Sequence, residues 1–282
     1  MKKRDSLPFF LLFTICFVFA FSGTAAYAET SSATFLFINV GKADAAVVQF
    51  GGYCCMVDTG TKDSFAQLSA VLSKRQIEEI DDVFLSHSHD DHIGGFKKLC
   101  KSFKVGRMLH SGFVKLTDKG KNRFSTLAEK NDIPHETLIA GAVLTPCEGL
   151  QIDVLGPLAA ADDDNDQSLV LRFTAYGKRV LFTGDMQFIE EFSLIKAGVD
   201  LQADVLKVGN HGNPDATSEA FAAAVSPSVS VISTNTEEDR DSANQRVLGV
   251  LRNSDCYLTQ DYQTGVLVTI SPDGTIAVEG ID

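Results

Sequence analysis

The chain is short of basic residues. It has 25 lysines and arginines against 37 aspartates and glutamates, a formal net charge of −12 at pH 7. Such a balance repels polyanions on average, so a uniformly basic nucleic-acid-binding surface is excluded, while a local basic patch is not. The sequence also lacks an internal repeat and a coiled-coil heptad pattern. Nothing in it points to an assembly, and a monomer is the default expectation.

Cysteine is scarce and does not form a framework. None of the six cysteines lies in a CxxC pair, and their spacings do not repeat. A domain of this length buries enough apolar surface without covalent cross-links, so buried thiols are the leading interpretation. One or two disulfides remain open alternatives in an exported protein, and the sequence does not choose their partners.

One apolar run, Leu7 to Phe21, has the length of a targeting segment. It follows the basic Lys2-Lys3-Arg4 and precedes Ala26-Tyr27-Ala28, which has the small-x-small form of a cleavage site. We predict a signal peptide at residues 1–28 and one domain at residues 29–282. The run is shorter than the roughly 20 apolar residues of a spanning helix. We therefore expect a secreted, extracellular protein with no stable membrane anchor after cleavage.

Strand and helix patterns alternate along that domain. Short β-branched and aromatic runs come first, helix-like segments alternate with strands through the middle, and strands return at the end. One helix is predicted from Ile93 to Phe103. This order predicts an α/β sandwich.

Three imidazoles and two carboxylates lie within Ser86 to His92, directly after an apolar strand pattern. His87 and His89 alternate along an extended segment and should point the same way, whereas Asp91 and His92 lie beyond a bend. Neutral imidazole and carboxylate are zinc ligands. So many polar groups at a strand end would be costly to place without partners, so a metal site is predicted here.

Asp185 and His211 also follow strand patterns. Each is a weak signal alone, because a turn aspartate or a loop histidine is common. With the histidine motif they complete a metal site, in which the two oxygens of Asp185 would bridge two ions. His110 and His135 have no such context and are expected to be surface or hydrogen-bonded histidines.

Six stretches carry a resemblance to a known family, and they occur in the family's order. They are Asn39–Ala45 (NVGKADA against NVGQGDA), Val57–Gly60 (VDTG), His87–Gly95 (HSHDDHIGG against HPHADHIGG), Asn165–Val170 (NDQSLV against NNxSLV), Leu181–Asp185 (LFTGD against LLTGD) and Lys207–Gly212 (KVGNHG against KVGHHG). The chain resembles metallo-β-lactamase-fold hydrolases, in particular the soluble domain of ComEC-type competence proteins.

The resemblance implies a four-layer αββα sandwich with metals at one edge between its two sheets. His87 and His89 would hold a first ion, and Asp91, His92 and His211 a second. Asp185 would lie between the ions, and Asp91 and Asp185 would be the catalytic carboxylates. Two zinc ions per chain are expected, with manganese or iron as alternatives, and a metal-bound hydroxide would attack phosphorus or a carbonyl carbon.

The chain departs from the family pattern at several positions. Lys42, Ala43 and Asn210 replace Gln, Gly and His, and Asn165-Asp166 stands where many relatives have another histidine. Because of these departures, the alternative hypothesis of a non-catalytic binding protein with a degenerate metal site remains.

Two charged segments complete the sequence picture. The run Asp162–Asp166 is interpreted as a solvated loop rather than a calcium site. Between Lys97 and Lys130 there are ten lysines or arginines and two acidic residues. Beside the metals, Lys97, Lys98 and Lys101 would bind a phosphate-rich substrate such as nucleic acid; a solvated helix face is the alternative.

The sequence thus predicts a secreted metal-dependent hydrolase. Its substrate would be a phosphodiester, with DNA as one candidate, or another ester. Hydrolysis of a lactam, lactone or carboxylic ester is the alternative within the same chemistry.

Overall fold

The computed structural model describes residues 31–114, 116, 120 and 122–282. The predicted signal peptide lies outside these residues, as do Lys115, Lys119 and Lys121 of the basic segment. Across the described part of the chain, no helix is long and apolar enough to cross a membrane.

The described residues form two sheets. Their strands are β1 (Ala33–Ile38), β2 (Ala45–Phe50), β3 (Tyr53–Thr59), β4 (Glu79–Leu85), β5 (Lys104–Ser111), β6 (His135–Leu138), β7 (Val143–Cys147), β8 (Leu150–Gly156), β9 (Val170–Ala175), β10 (Lys178–Phe182), β11 (Val205–Lys207), β12 (Val229–Ile232), β13 (Asp255–Leu258), β14 (Gly265–Ile270) and β15 (Ile276–Ile281). The first sheet has the order β15-β14-β1-β2-β3-β4-β5-β6, and the second β13-β12-β11-β10-β9-β8-β7.

Helices cover the outer faces of both sheets. They are α1 (Phe65–Lys74), α2 (Asp90–Ile93), α3 (Phe96–Ser102), α4 (Arg123–Asn131), α5 (Phe188–Lys196), α6 (Glu219–Val225) and α7 (Gln245–Val250). Apolar residues of α1, α3 and α4 pack on the first sheet, and those of α5, α6 and α7 on the second. The predicted four-layer αββα sandwich is confirmed.

The main core lies between the two sheets. In β1, Phe35 and Phe37 face the second sheet, while Leu36 and Ile38 face the helices, because alternate residues of a strand point to opposite faces. Phe173 lies centrally, with its ring centroid 5.9 Å from that of Phe35 and 5.4 Å from that of Phe182. All cysteines of the described chain are free thiols; Cys54 and Cys55 are buried, as predicted, and the other three are half-buried.

The helix predicted from Ile93 to Phe103 is wrong as a single element. It is interrupted at Gly94 and Gly95, between α2 and α3. The amide of Gly95 donates to the Gly60 carbonyl instead of to Asp91, and the Asp91 carbonyl accepts from the Asp44 amide. A Cβ at Gly95 would lie 2.1 Å from the Thr59 carbonyl oxygen, so glycine permits this approach to the end of β3.

Candidate metal centre

Four side chains of ligand type converge from both sheets. Asp91 and His92 belong to α2, directly after β4, whereas Asp185 follows β10 and His211 follows β11. One potential ligand atom of each residue lies within 4.8 Å of the others. We call Asp91, His92, Asp185 and His211 the four-ligand cluster.

Asp185 lies at the middle of this arrangement. Its Oδ2 atom is 3.2 Å from His92 Nε2, 3.4 Å from His211 Nε2 and 3.9 Å from His87 Nε2. His211 Nε2 is also 3.5 Å from Asp91 Oδ2. The structure therefore brings four of the other five predicted ligands close to the Asp185 carboxylate.

The cluster and the adjacent His87 contain buried polar atoms that no hydrogen bond within the described residues satisfies. The Nε2 atoms of His87, His92 and His211, and Oδ1 of Asp185, are buried without a hydrogen-bond partner. Buried polar groups are nearly always paired, so several converging exceptions need an explanation. Imidazole nitrogens and a carboxylate are the donor set of a zinc-type cation, and the residues present fit such an ion.

Neighbouring residues orient the imidazoles toward the cluster. His92 Nδ1 donates to Asp58 Oδ2 at 2.8 Å, and His211 Nδ1 donates to the Ser233 carbonyl at 2.8 Å. These bonds place the proton on Nδ1 and leave the Nε2 lone pair for a ligand. Asp58 also accepts hydrogen bonds from the amide and hydroxyl of Ser86, which lies 3.1 Å from His87 Nδ1.

His89 lies at the exposed rim of the centre. Its ring centroid is 4.6 Å from that of His87, but His89 is exposed while His87 is buried. Between them, the amide and hydroxyl of Ser88 donate to Asp164 Oδ2 at 2.9 and 2.7 Å. The acidic run therefore helps to hold the histidine loop.

The prediction that residues 162–166 form a solvated loop is wrong in part. Asp162 and Asp163 are exposed, whereas Asp164 and Asp166 are buried. Asp166 Oδ1 accepts from the amides of Gln187 and Glu190 at the start of α5. Backbone amides compensate for its burial, which sequence composition alone does not reveal.

Burial and the neighbouring charges shift the pKa values of the buried histidines and of Asp185 strongly. Burial lowers the pKa of His87 well below its ordinary value, and His92 adds to the effect. Burial acts to raise the pKa of Asp185, but His211 and His92 outweigh it and hold that pKa well below the usual range. Burial opposes protonation of His211, yet Asp185 outweighs it and raises the pKa of His211 to about 9. Protons therefore balance the carboxylates when no cation is bound, and metal loading releases them.

Three further residues at the centre lie within the sequence motifs but have no predicted role. Lys42 Nζ is 3.1 Å from Asp91 Oδ2. Lys207 Nζ pairs with Asp44 Oδ2 and donates to the Gly184 carbonyl at 3.1 Å. Asp44 in turn lies 3.8 Å from His92 Nδ1. In the sequence, these three residues are marked only by their positions in the motifs NVGKADA and KVGNHG.

Asn210 does not take the place of a ligand. Its Nδ2 donates to Asp215 Oδ1 at 2.9 Å, away from the cluster. Asn210 and His211 both have left-handed backbone conformations, with φ of 45° and 53°, and asparagine tolerates that region well. The replacement of histidine at position 210 therefore removes no member of the four-ligand cluster.

The basic segment is spread over different surfaces. Lys97 and Lys101 are exposed on α3, while Lys98 Nζ donates to the Lys62 carbonyl at 2.8 Å. Lys104 pairs with Glu79 at the start of β4, and six residue steps along the strand, about 20 Å, separate that end from Leu85. Only the first turn of α3 is close in sequence to the metal loop.

His110 and His135 bind each other. His110 Nε2 is 3.0 Å from His135 Nδ1, and His110 Nδ1 donates to the Ser111 carbonyl at 2.8 Å. The prediction of hydrogen-bonded histidines outside the metal centre is confirmed.

The fold and this centre agree with comparisons to known proteins. The family model for the metallo-beta-lactamase superfamily matches residues 38–236. The chain belongs to the metallo-β-lactamase superfamily. Within that superfamily it is similar to ComEC-type competence proteins.

Two curated relatives illustrate the similarity. The chain is 30% identical over 198 residues to ComE operon protein 3 of Bacillus subtilis, covering 70% of this chain and 25% of that protein. It is 32% identical over 181 residues to competence protein ComA of Neisseria gonorrhoeae, covering 63% of this chain and 23% of that protein. The matched region thus spans about a quarter of each relative.

Solved structures share the fold at low identity. YhfI of Bacillus subtilis aligns with a TM-score of 0.56 at 14% identity, over 88% of this chain and 100% of YhfI. CmlA of Streptomyces venezuelae, a diiron beta-hydroxylase, aligns with a TM-score of 0.53 at 13% identity, over 81% of this chain and 52% of CmlA. At these identities the likeness shows the fold alone.

Proposed function

We propose that this protein is a secreted, metal-dependent hydrolase of phosphodiesters, with zinc as its metal. The convergence of three buried, unpartnered imidazole nitrogens on Asp185 supports the proposal most directly. One ion would be held by the four-ligand cluster. A second would be held by His87 and His89 and would share Asp185.

Divalent cations at these positions would lower the pKa of bound water and stabilise charge that develops on the attacked group. The protein's own residues supply the surroundings. Asp58 and Ser233 fix the tautomers of His92 and His211. Asp164 fixes the loop between His87 and His89 through Ser88, and Asp91 lies at the partly exposed side, where its side chain is 21% accessible.

Nucleic acid is the specific phosphodiester that we propose. The relatives include a competence protein and a protein named Recombination protein 2 from Haemophilus influenzae, which is 28% identical over 202 residues. Lys97 and Lys101, exposed on α3, would contact the substrate backbone. Lys98 would contribute only if its ammonium left the Lys62 carbonyl.

The proposal is tested by metal analysis and hydrolysis assays on purified protein. We expect about two zinc ions per chain and chelator-sensitive cleavage of single- or double-stranded DNA and of bis(p-nitrophenyl) phosphate. D185N should abolish cleavage, while D90N, which lies within the histidine motif but has an 84% exposed side chain, should not. Parallel loading with iron and manganese identifies the metal that supports turnover.

Other outcomes select the alternatives. Turnover of a lactam, lactone or carboxylic ester without phosphodiester cleavage would indicate the second hydrolase class. Absence of bound metal under zinc-replete conditions, together with no turnover of any ester, would indicate a non-catalytic binding protein. Metal-dependent cleavage of the small diester without cleavage of either DNA would reject only the nuclease.

A further inference from the structure

The loop between β1 and β2 places an ammonium group at the solvent-facing side of the metal centre. Lys42 Nζ lies 3.1 Å from Asp91 Oδ2, and the two side chains are 25% and 21% exposed. The side chains of His92 and His211 are fully buried. A substrate that approaches the cluster from solvent on this side meets Lys42.

The backbone of this loop is held firmly in place. The Lys42 amide donates to Glu238 Oε2 at 3.1 Å, and Asn235 Nδ2 donates to Glu238 Oε1 at 2.7 Å. The Asp44 amide donates to the Asp91 carbonyl at 3.1 Å. Gly41 has a φ of 81°, and a Cβ there would lie 2.8 Å from Glu238 Oε1. The loop that carries Lys42 is therefore held by Glu238 and by the Asp91 backbone before a substrate arrives.

The ammonium has hydrogen-bonding capacity to spare. A lysine ammonium has three N–H donors. Among the described residues, Asp91 is the acceptor that the structure gives to Lys42 Nζ. The remaining donors, on a quarter-exposed side chain, are available to an incoming acceptor.

The chemistry of the substrate decides what that acceptor is. A phosphodiester monoanion has two non-bridging oxygens, so one can meet the metal centre while the other meets an ammonium. A neutral carboxylic ester or lactone has one carbonyl oxygen at the reacting carbon and no anionic oxygen left for Lys42. Negative charge that develops on the phosphoryl oxygens in the transition state would strengthen the contact between a phosphodiester and the Lys42 ammonium.

We propose that Lys42 is a specificity-determining residue that binds an anionic oxygen of the substrate and makes this centre prefer anionic phosphate esters to neutral carboxylic esters. The inference rests on the proposed hydrolase function. The alternative is that Lys42 has a purely structural role and only neutralises the charge of Asp91.

The kinetic test compares wild type, K42Q, K42R and K104Q. Lys104 is the matched control, because its ammonium pairs with Glu79 at the far end of β4. A charge-assisted hydrogen bond contributes about 1.5–3 kcal/mol, so K42Q should lower kcat/KM for bis(p-nitrophenyl) phosphate roughly 10- to 100-fold. Turnover of p-nitrophenyl acetate should change less than about twofold. K42R should restore most of the diester activity, and K104Q should match wild type. Equal loss on both substrates, or no loss on either, would overturn the assignment.

A binding measurement separates this inference from the proposed function. Titration calorimetry of inorganic phosphate into zinc-loaded wild type and K42Q, after equal metal content is verified, should show weaker phosphate binding by K42Q. That result in a protein without turnover on any ester would keep Lys42 as a residue that binds an anionic oxygen, and would reject the hydrolase. Equal phosphate affinity, or loss of zinc from K42Q, would instead make Lys42 a support for Asp91 and overturn the assignment.

Discussion

At the scale of single residues, Asp58 links two motifs that are distant in sequence. It is buried, has a left-handed backbone with φ of 59°, and accepts hydrogen bonds from His92 Nδ1 and from the amide and hydroxyl of Ser86. Its negative charge increases the basicity of His92 and fixes the ring that faces Asp185. Asp58 thus supports a ligand without being a member of the four-ligand cluster.

Replacement of Asp58 by asparagine should weaken metal binding about 10- to 100-fold while the ligands remain. The neutral amide lacks the charge that favours the Nδ1–H tautomer of His92. Competition with a chromogenic chelator measures the affinity, and circular dichroism verifies the fold. D90N serves as the control, because Asp90 is 84% exposed and pairs with Arg123. Equal zinc affinity in D58N and wild type would exclude this support role.

The sequence singles out the candidate ligands more readily than the residues that position them. His87, Asp91 and His92 are recognisable because they lie within one short motif at a strand end. Asp58 and His92 meet across 34 positions, and Asp164 reaches Ser88 across 76. Those contacts depend on strand order and on the meeting of the two sheets, which composition and local spacing do not specify.

At the scale of elements, buried acids anchor the starts of two helices, α5 and α6. Asp166 accepts from the amides of Gln187 and Glu190, and Glu191 accepts from the amides of Thr217 and Ser218. Amides at a helix N-terminus have no partner within the helix, so a carboxylate there satisfies them and favours the helix dipole. The periodic pattern predicts the helix, whereas the source of its caps lies in loops elsewhere in the chain.

Glu190 should make stability depend on pH. Burial raises its pKa to about 7, the Leu158 amide opposes the shift, and nearby Asp166 adds to it. Because the folded pKa exceeds the ordinary 4.5, the folded state binds more protons between these values, and stability falls as pH rises through this range. E190Q should therefore be more stable than wild type at pH 8, by on the order of 1 kcal/mol, and the difference should shrink by pH 5.

Urea unfolding at pH 5 and pH 8 measures this difference. The matched control is E219Q, in the first turn of α6, where the side chain is exposed. E219Q should track wild type at both pH values. If E190Q and wild type differed in free energy of unfolding by the same amount at both pH values, the raised pKa of Glu190 would be contradicted.

At the scale of the whole molecule, the two sheets depend on one shared core. Phe173 of the second sheet contacts Phe35 and Phe84 of the first, with ring centroids 5.9 and 6.0 Å apart. F173A should destabilise the protein by about 3–5 kcal/mol, because a large cavity would open between the sheets. F192A, at an exposed position of α5, should change stability by less than about 0.5 kcal/mol. Chemical denaturation distinguishes the two, and similar losses would place Phe173 outside the cooperative core.

The metal centre is the second connection between the sheets. Asp91 and His92 follow a strand of the first sheet, and Asp185 and His211 follow strands of the second, so a cation in the four-ligand cluster joins both. Zinc at 100 times its Kd should raise the free energy of unfolding by about 2.7 kcal/mol. Zinc binding by cysteines of the unfolded chain reduces the absolute gain, so variants are more informative than wild type alone. H211A should lose the zinc-dependent rise in melting temperature, whereas D90N should keep it. If zinc stabilised both H211A and D185N as much as wild type, the ion would be held by the histidine loop of the first sheet alone, and the connection between the sheets would have to be abandoned.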